Sequence, residues 1–228
     1  MTDQADTTWY NQRLADGGPL YTETDFDHWL VEPWNSITSL LVVVSALYWL
    51  FRIRKDYKNY KFILYAIPLF ILGGIGSSLF HGFRASVAFL VMDVLPTAIL
   101  TLSIGIYFWI KILKKWWYVF FIIVPIFALR FALFGSLPDH LAINISYGLT
   151  GLTIIIPLVI IMFKTKFFKW QLITITIILF GLALLFRETD PYSGHVLPMG
   201  SHFLWHVFSG IGAYFILAYL YSFRNREL

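Results

Sequence analysis

His202 and His206 stand four residues apart in GSHFLWH. On a helix this spacing puts two imidazoles on one face, a turn apart, where they can share a metal ion. Alone, the pair is a weak signal and reads sooner as an accidental interfacial feature of an aromatic-rich stretch. His81, closing the run GSSLFH, supplies a third imidazole. Three histidines with one position open are the donor set of a catalytic zinc. Asp93, in VAFLVMDVLP, is a carboxylate with long apolar sequence on both sides, and Ser77 precedes His81 by four residues on the same helical face. Together these are the parts of a hydrolase. Zinc lowers the pKa of a bound water toward about 7, making it a nucleophile, and polarises a carbonyl. Asp93 would be the general base that takes the water's proton, and Ser77 would stabilise the oxyanion. Each residue also has a plainer reading: Asp93 paired with a histidine for packing, Ser77 bonded back to its own helix, the histidines unmetallated. His28, His140 and His195 have no convergent partners and read as loop or interface residues.

The elements that must position this set follow from composition. Of 228 residues, 58% are hydrophobic, 19% aromatic and only 13% charged, against about 25% charged in a soluble domain. Mean hydropathy is +0.70. A disordered chain, a disulfide-rich secreted module and an ordinary cytosolic enzyme are excluded; cysteine is absent. The expectation is an all-α polytopic membrane protein. Seven stretches reach the roughly 20 apolar residues that a spanning helix needs: about 34–51, 61–81, 85–110, 116–134, 140–163, 167–186 and 200–222. They are continuously apolar rather than alternating, so they are helices and not barrel strands. Short connections make sequential helices antiparallel neighbours. The organisation expected is an N-terminal segment over 1–33, a seven-helix catalytic domain over 34–222 and a tail over 223–228, with one further extramembrane loop from Arg187 to Met199.

Net charge is +4, but the basic residues sit in short clusters between spans, so no nucleic-acid partner is expected. Loops 52–60, 111–115 and 164–169, their flanks and the C-terminus hold 13 of the 17 Lys and Arg residues. The positive-inside rule then places the N-terminus outside and the C-terminus in the cytoplasm. Arg130 lies close enough to a span end to snorkel and reads as structural. In this topology the second span ends and the seventh begins on the outer side, so the three histidines meet there. Asp93 lies about eight residues, or about 12 Å, into the third span from the same side. The polar start MTDQADTTWYNQRLADGG does not read as a secretory signal peptide. A bacterial inner membrane and an ER or Golgi membrane fit equally, with the site toward the extracytoplasmic side. Nothing in the sequence calls for an obligate protein partner.

Glu23, Asp25, Asp27 and Glu32 crowd into ten residues before the first span. They read either as a solvated charge run or as a calcium site, since hard cations collect carboxylate and carbonyl oxygens. The spacing is not that of an EF-hand. Pro33 suits a helix start and Trp34 a membrane interface.

EPWNS at 32–36, GSSLFH at 76–81, MDVLP at 92–96 and HFLWHVFSG at 202–210 resemble the alkaline ceramidases, within a seven-helix superfamily that also includes progestin- and adiponectin-type receptors. The resemblance runs from about Tyr21 to Gly210. It implies a zinc amidase that splits ceramide into a sphingoid base and a fatty acid. His81, His202 and His206 match the zinc ligands, Asp93 the acid near the zinc water and Ser77 the serine near the substrate carbonyl. Tyr21, Thr22 and Glu23 match the start of the family's calcium-binding segment. Glu23, Glu32 and Asp25 then correspond to calcium ligands, with Asp27 or the Tyr21 carbonyl as further candidates. Thr22 stands where animal relatives have a cysteine joined to the loop before the last helix.

Alternatives remain beside the lipid amidase. One is a receptor or lipid-binding protein with a structural zinc; another is a hydrolase of some other lipid amide or ester. A retinal protein is disfavoured because the span 200–222 has no lysine. A serine protease built on Gly76–Ser77 leaves three histidines and Asp93 unexplained.

Overall fold

Long runs of Leu, Ile, Val and Phe in lipid find no water to satisfy their backbone groups, so those groups must bond within a helix. The computed structural model, which describes residues 13–137 and 139–224, is accordingly all-α. The helices are α1 (Pro33–Ser39), α2 (Leu41–Ile53), α3 (Lys61–Phe83), α4 (Val87–Leu113), α5 (Phe120–Ser136), α6 (Asp139–Lys164), α7 (Trp170–Ser193) and α8 (His202–Phe223). Among the described residues, seven stretches are long and apolar enough to cross a membrane, α1 and α2 together forming the first. Residues 1–12 of the expected N-terminal segment and 225–228 of the expected tail lie outside the described residues.

The first span is broken at Leu40. The hydroxyls of Thr38 and Ser39 bond back to the carbonyls of Trp34 and Asn35, at 2.6 and 2.7 Å, a pattern that bends helices. Glycines press on the break. A Cβ at Gly74 would overlap Val42 and Val43, and one at Gly210 would crowd Leu41.

Polarity predicts a loop over 187–199, but α7 continues to Ser193. Hydropathy fails at Arg187, yet the helix does not, because its polar end is used: Asp190 is buried and hydrogen-bonded.

The chain forms two compact units. One comprises Gln12–Ala98 and Lys169–Asn225; the described part of the other is Ile99–Phe168. In the first, α2 meets α8 through Ser45 Oγ donating to the Gly210 carbonyl (2.9 Å) and Trp49 Nε1 to the Tyr214 carbonyl (3.1 Å). Ser36 Oγ ties α1 to the Ser78 carbonyl of α3 (2.8 Å). Phe186 of α7 stacks on Phe208 of α8. Within the second unit, Trp109 Nε1 donates to the Thr153 carbonyl (3.0 Å), and Arg130 to Thr150 Oγ1 (3.3 Å). Outward faces are apolar: Phe51, Phe121 and Phe131 are 64, 71 and 85% exposed. Water would penalise such surface at about 25 cal/mol per Å², and lipid would not.

Candidate metal centre

His81 reaches the site from the last turn of α3, and His202 and His206 from the first two turns of α8. All three are buried, and one ring nitrogen from each lies within 4.8 Å of the others. Among the described residues this is the one group of three or more histidine and acidic side chains so placed. His202 Nδ1 and His206 Nε2 are buried without a hydrogen-bond partner. His81 Nδ1 bonds the Glu32 carboxylate, so Nε2 is the nitrogen it can turn to a metal. That is the outer partnership a metal-ligating histidine usually has, fixing its tautomer and ring plane. The three buried imidazoles therefore fit a metal ion.

Glu32 is placed there by backbone. The N–H groups of Val31 and Glu32 donate to the carbonyls of Gly82 and His81, at 2.8 and 3.1 Å, satisfying carbonyls that the end of α3 leaves open. This registers Glu32 against His81.

Asp93 and Ser77 come together across α3 and α4. Gly76 backs directly onto the Met92 carbonyl and the Asp93 amide, where any Cβ would overlap. Pro96 lacks the N–H that would have bonded that carbonyl. The close approach sets the buried Ser77 beside the Asp93 carboxylate. Ser39 Oγ lies 3.0 Å from Ser77 Oγ on the other side. Ser39 was not singled out in the sequence; its only signal was position in the polar face EPWNSITS.

Asp190 was also missed, hidden in the presumed loop. Its Oδ1 accepts from the amides of Ser201 (2.8 Å) and His202 (2.9 Å), capping α8 from a neighbouring helix. Its Oδ2 accepts from the Thr22 amide (3.0 Å), and Thr22 Oγ1 donates to the Asp190 carbonyl (2.7 Å). Thr22 thus fastens the N-terminal segment to α7 by hydrogen bonds. Tyr21 is laid over the centre as a result. Its ring centroid is 4.0 Å from that of His202 and 5.2 Å from that of His81. Burial pushes its phenol far up, so it stays neutral.

Among the described residues, the acidic side chains expected to hold calcium form no group of three with ligand atoms within reach of one another. Glu23 caps α1, its two oxygens accepting from the Trp34 and Asn35 amides; burial pushes its carboxyl up despite those donors. Asp25 accepts from the Asp27 amide and from His28 in an exposed turn. The Tyr21 carbonyl accepts from the Thr24 amide. Glu32 Oε1 accepts from Thr24 and Arg84, and Oε2 from His81 and Asn35. Burial opposes the Glu32 charge, but the neighbouring His81 and Arg84 outweigh it and hold the carboxyl below its ordinary value.

No family model matches this sequence, and no curated protein matches it.

Proposed function

We propose that the chain is a zinc-dependent hydrolase of a lipid amide, with ceramide as the favoured substrate. The observation that carries the reading is the pair of buried, unpartnered nitrogens on His202 and His206 beside His81. Leaving such atoms unsatisfied costs about 1–3 kcal/mol each, which a metal would remove. His81, His202 and His206 would hold the ion. Bound zinc supplies a Lewis acid that activates water and polarises a carbonyl.

The chain's own residues supply the rest. Asp93, beside Ser77 and within electrostatic reach of His81, is the general base for the attacking water and returns the proton to the leaving amine nitrogen. Ser77 turns its hydroxyl toward the substrate oxygen as charge develops there. Tyr21 covers two imidazoles and keeps water from that side. The apolar outward faces favour a lipid that reaches the site sideways from the bilayer. The amide, and ceramide in particular, rests on the resemblance carried by EPWNS, GSSLFH, MDVLP and HFLWHVFSG. The basic loops favour an extracytoplasmic site.

Metal analysis of purified protein, paired with a mass-spectrometric screen of lipid amides, tests this. The expected result is about one zinc per chain, as a single His₃ site requires, with fatty acid released from ceramide and stopped by chelation. Zinc without product from any lipid amide or ester supports a receptor with a structural metal instead.

A further inference from the structure

We infer that Arg84 is the resident cation of the N-terminal segment, gathering the oxygens that a divalent ion would gather, so that the segment is ordered over the histidine centre without calcium. The guanidinium is fully buried, as are both carboxylates it pairs with. Nε donates to Asp16 Oδ2 at 2.6 Å, and NH2 to Asp16 Oδ1 at 3.2 Å; NH1 donates to Glu32. NH2 also donates to the Pro19 carbonyl at 2.9 Å. Two carboxylates and a backbone carbonyl are the ligand types of a calcium site, and here a planar fork with five N–H donors meets them. The other Glu32 oxygen bonds His81 Nδ1.

The surrounding chain is shaped to this side chain. Arg84 ends α3 in the left-handed conformation (φ 46°), which costs a non-glycine residue about 1–2 kcal/mol. Gly18 passes so close that a Cβ there would come within 2.9 Å of the guanidinium. Phe80 lies 4.6 Å beneath it, a cation–π contact. Calcium takes about six to eight oxygens. The oxygens of Asp16 and Glu32 accept from Arg84, and those of Glu23 from the Trp34 and Asn35 amides; among the described residues no group of three acidic side chains has ligand atoms within reach of one another.

The test uses the full chain, zinc-loaded, in calcium-depleted buffer. Calorimetric titration with calcium chloride is expected to show no saturable binding, and millimolar calcium no rise in Tm. Arg84→Met is expected to lower Tm on the order of 10 °C, as breaking a buried ion pair does, and calcium is expected to restore part of the loss. Saturable calcium binding with a rise in Tm in the unsubstituted protein overturns the inference. So does an Arg84→Met protein of unchanged Tm, or one that calcium leaves unstabilised. The titration of the unsubstituted protein decides even if the variant does not fold. Neither readout depends on hydrolysis, so the inference and the proposed function fail separately.

Discussion

A buried imidazole nitrogen without a partner is costly, and two of them on successive turns of α8, facing a third histidine on α3, mark a place for a ligand. His206→Ala is expected to lose zinc and ceramide hydrolysis together; a metal-free variant with full turnover would contradict the mechanism. Asp93→Asn is expected to keep zinc while turnover falls about 10²–10⁴-fold, the usual share of a general base. Glu32→Gln removes the buried charge that Arg84 pairs with and weakens the acceptor on His81 Nδ1. Its zinc affinity, measured by chelator competition, should drop about 10–100-fold. Asp16 gives a pH dependence. Burial raises its pKa, but Arg84 and the Gly18 amide outweigh burial and hold it below the usual carboxylate value. The folded value is lowered, so its stabilisation is complete above the unfolded value of about 3.9 and is lost as pH falls through the folded one. Tm should fall below about pH 4, and Asp16→Asn should be less stable at neutral pH with a flatter acid limb.

Helix ends carry the site more than helix middles do. His81 sits in the last turn of α3, His202 and His206 in the opening turns of α8, and Asp190 near the end of α7 binds the first amides of α8. Free amides at a helix N-terminus need acceptors, and Asp190 supplies one from outside the helix while holding Thr22. Asp190→Ala strands the Ser201, His202 and Thr22 amides. It should cost about 1–3 kcal/mol and weaken zinc retention, with Asp190→Asn falling between. Equal zinc affinity in all three proteins would reduce Asp190 to a stabilising role. Gly76 shows a second element-scale device: by omitting a side chain it lets α3 lie on the Met92 carbonyl and brings Ser77 to Asp93.

For the whole molecule, the charge distribution over loops 52–60, 111–115 and 164–169 sets an expected orientation, N-terminus outside and C-terminus in the cytoplasm. A C-terminal fluorescent fusion should light in the cytoplasm, and an N-terminal tag should be cleaved by protease added outside intact cells. The reverse pattern would put the histidine centre on the cytoplasmic side.

Apolar run length and polarity by themselves determined the seven spans, because a helix in lipid must be long, apolar and internally bonded. The HxxxH spacing and the end of GSSLFH likewise brought three histidines to one depth before any coordinates. The rest needed tertiary structure, because carboxylates look alike in sequence and differ only in what they meet. Glu32 reads as a calcium ligand beside Asp25 and Asp27, yet the pairing of 31–32 with the end of α3 delivers it to His81 and Arg84. Asp190 reads as loop, yet α7 continues past its apolar run because that carboxylate has α8 to cap. Periodicity reports the environment along a chain; which charge answers which across 50 or 170 residues is decided only when the helices pack.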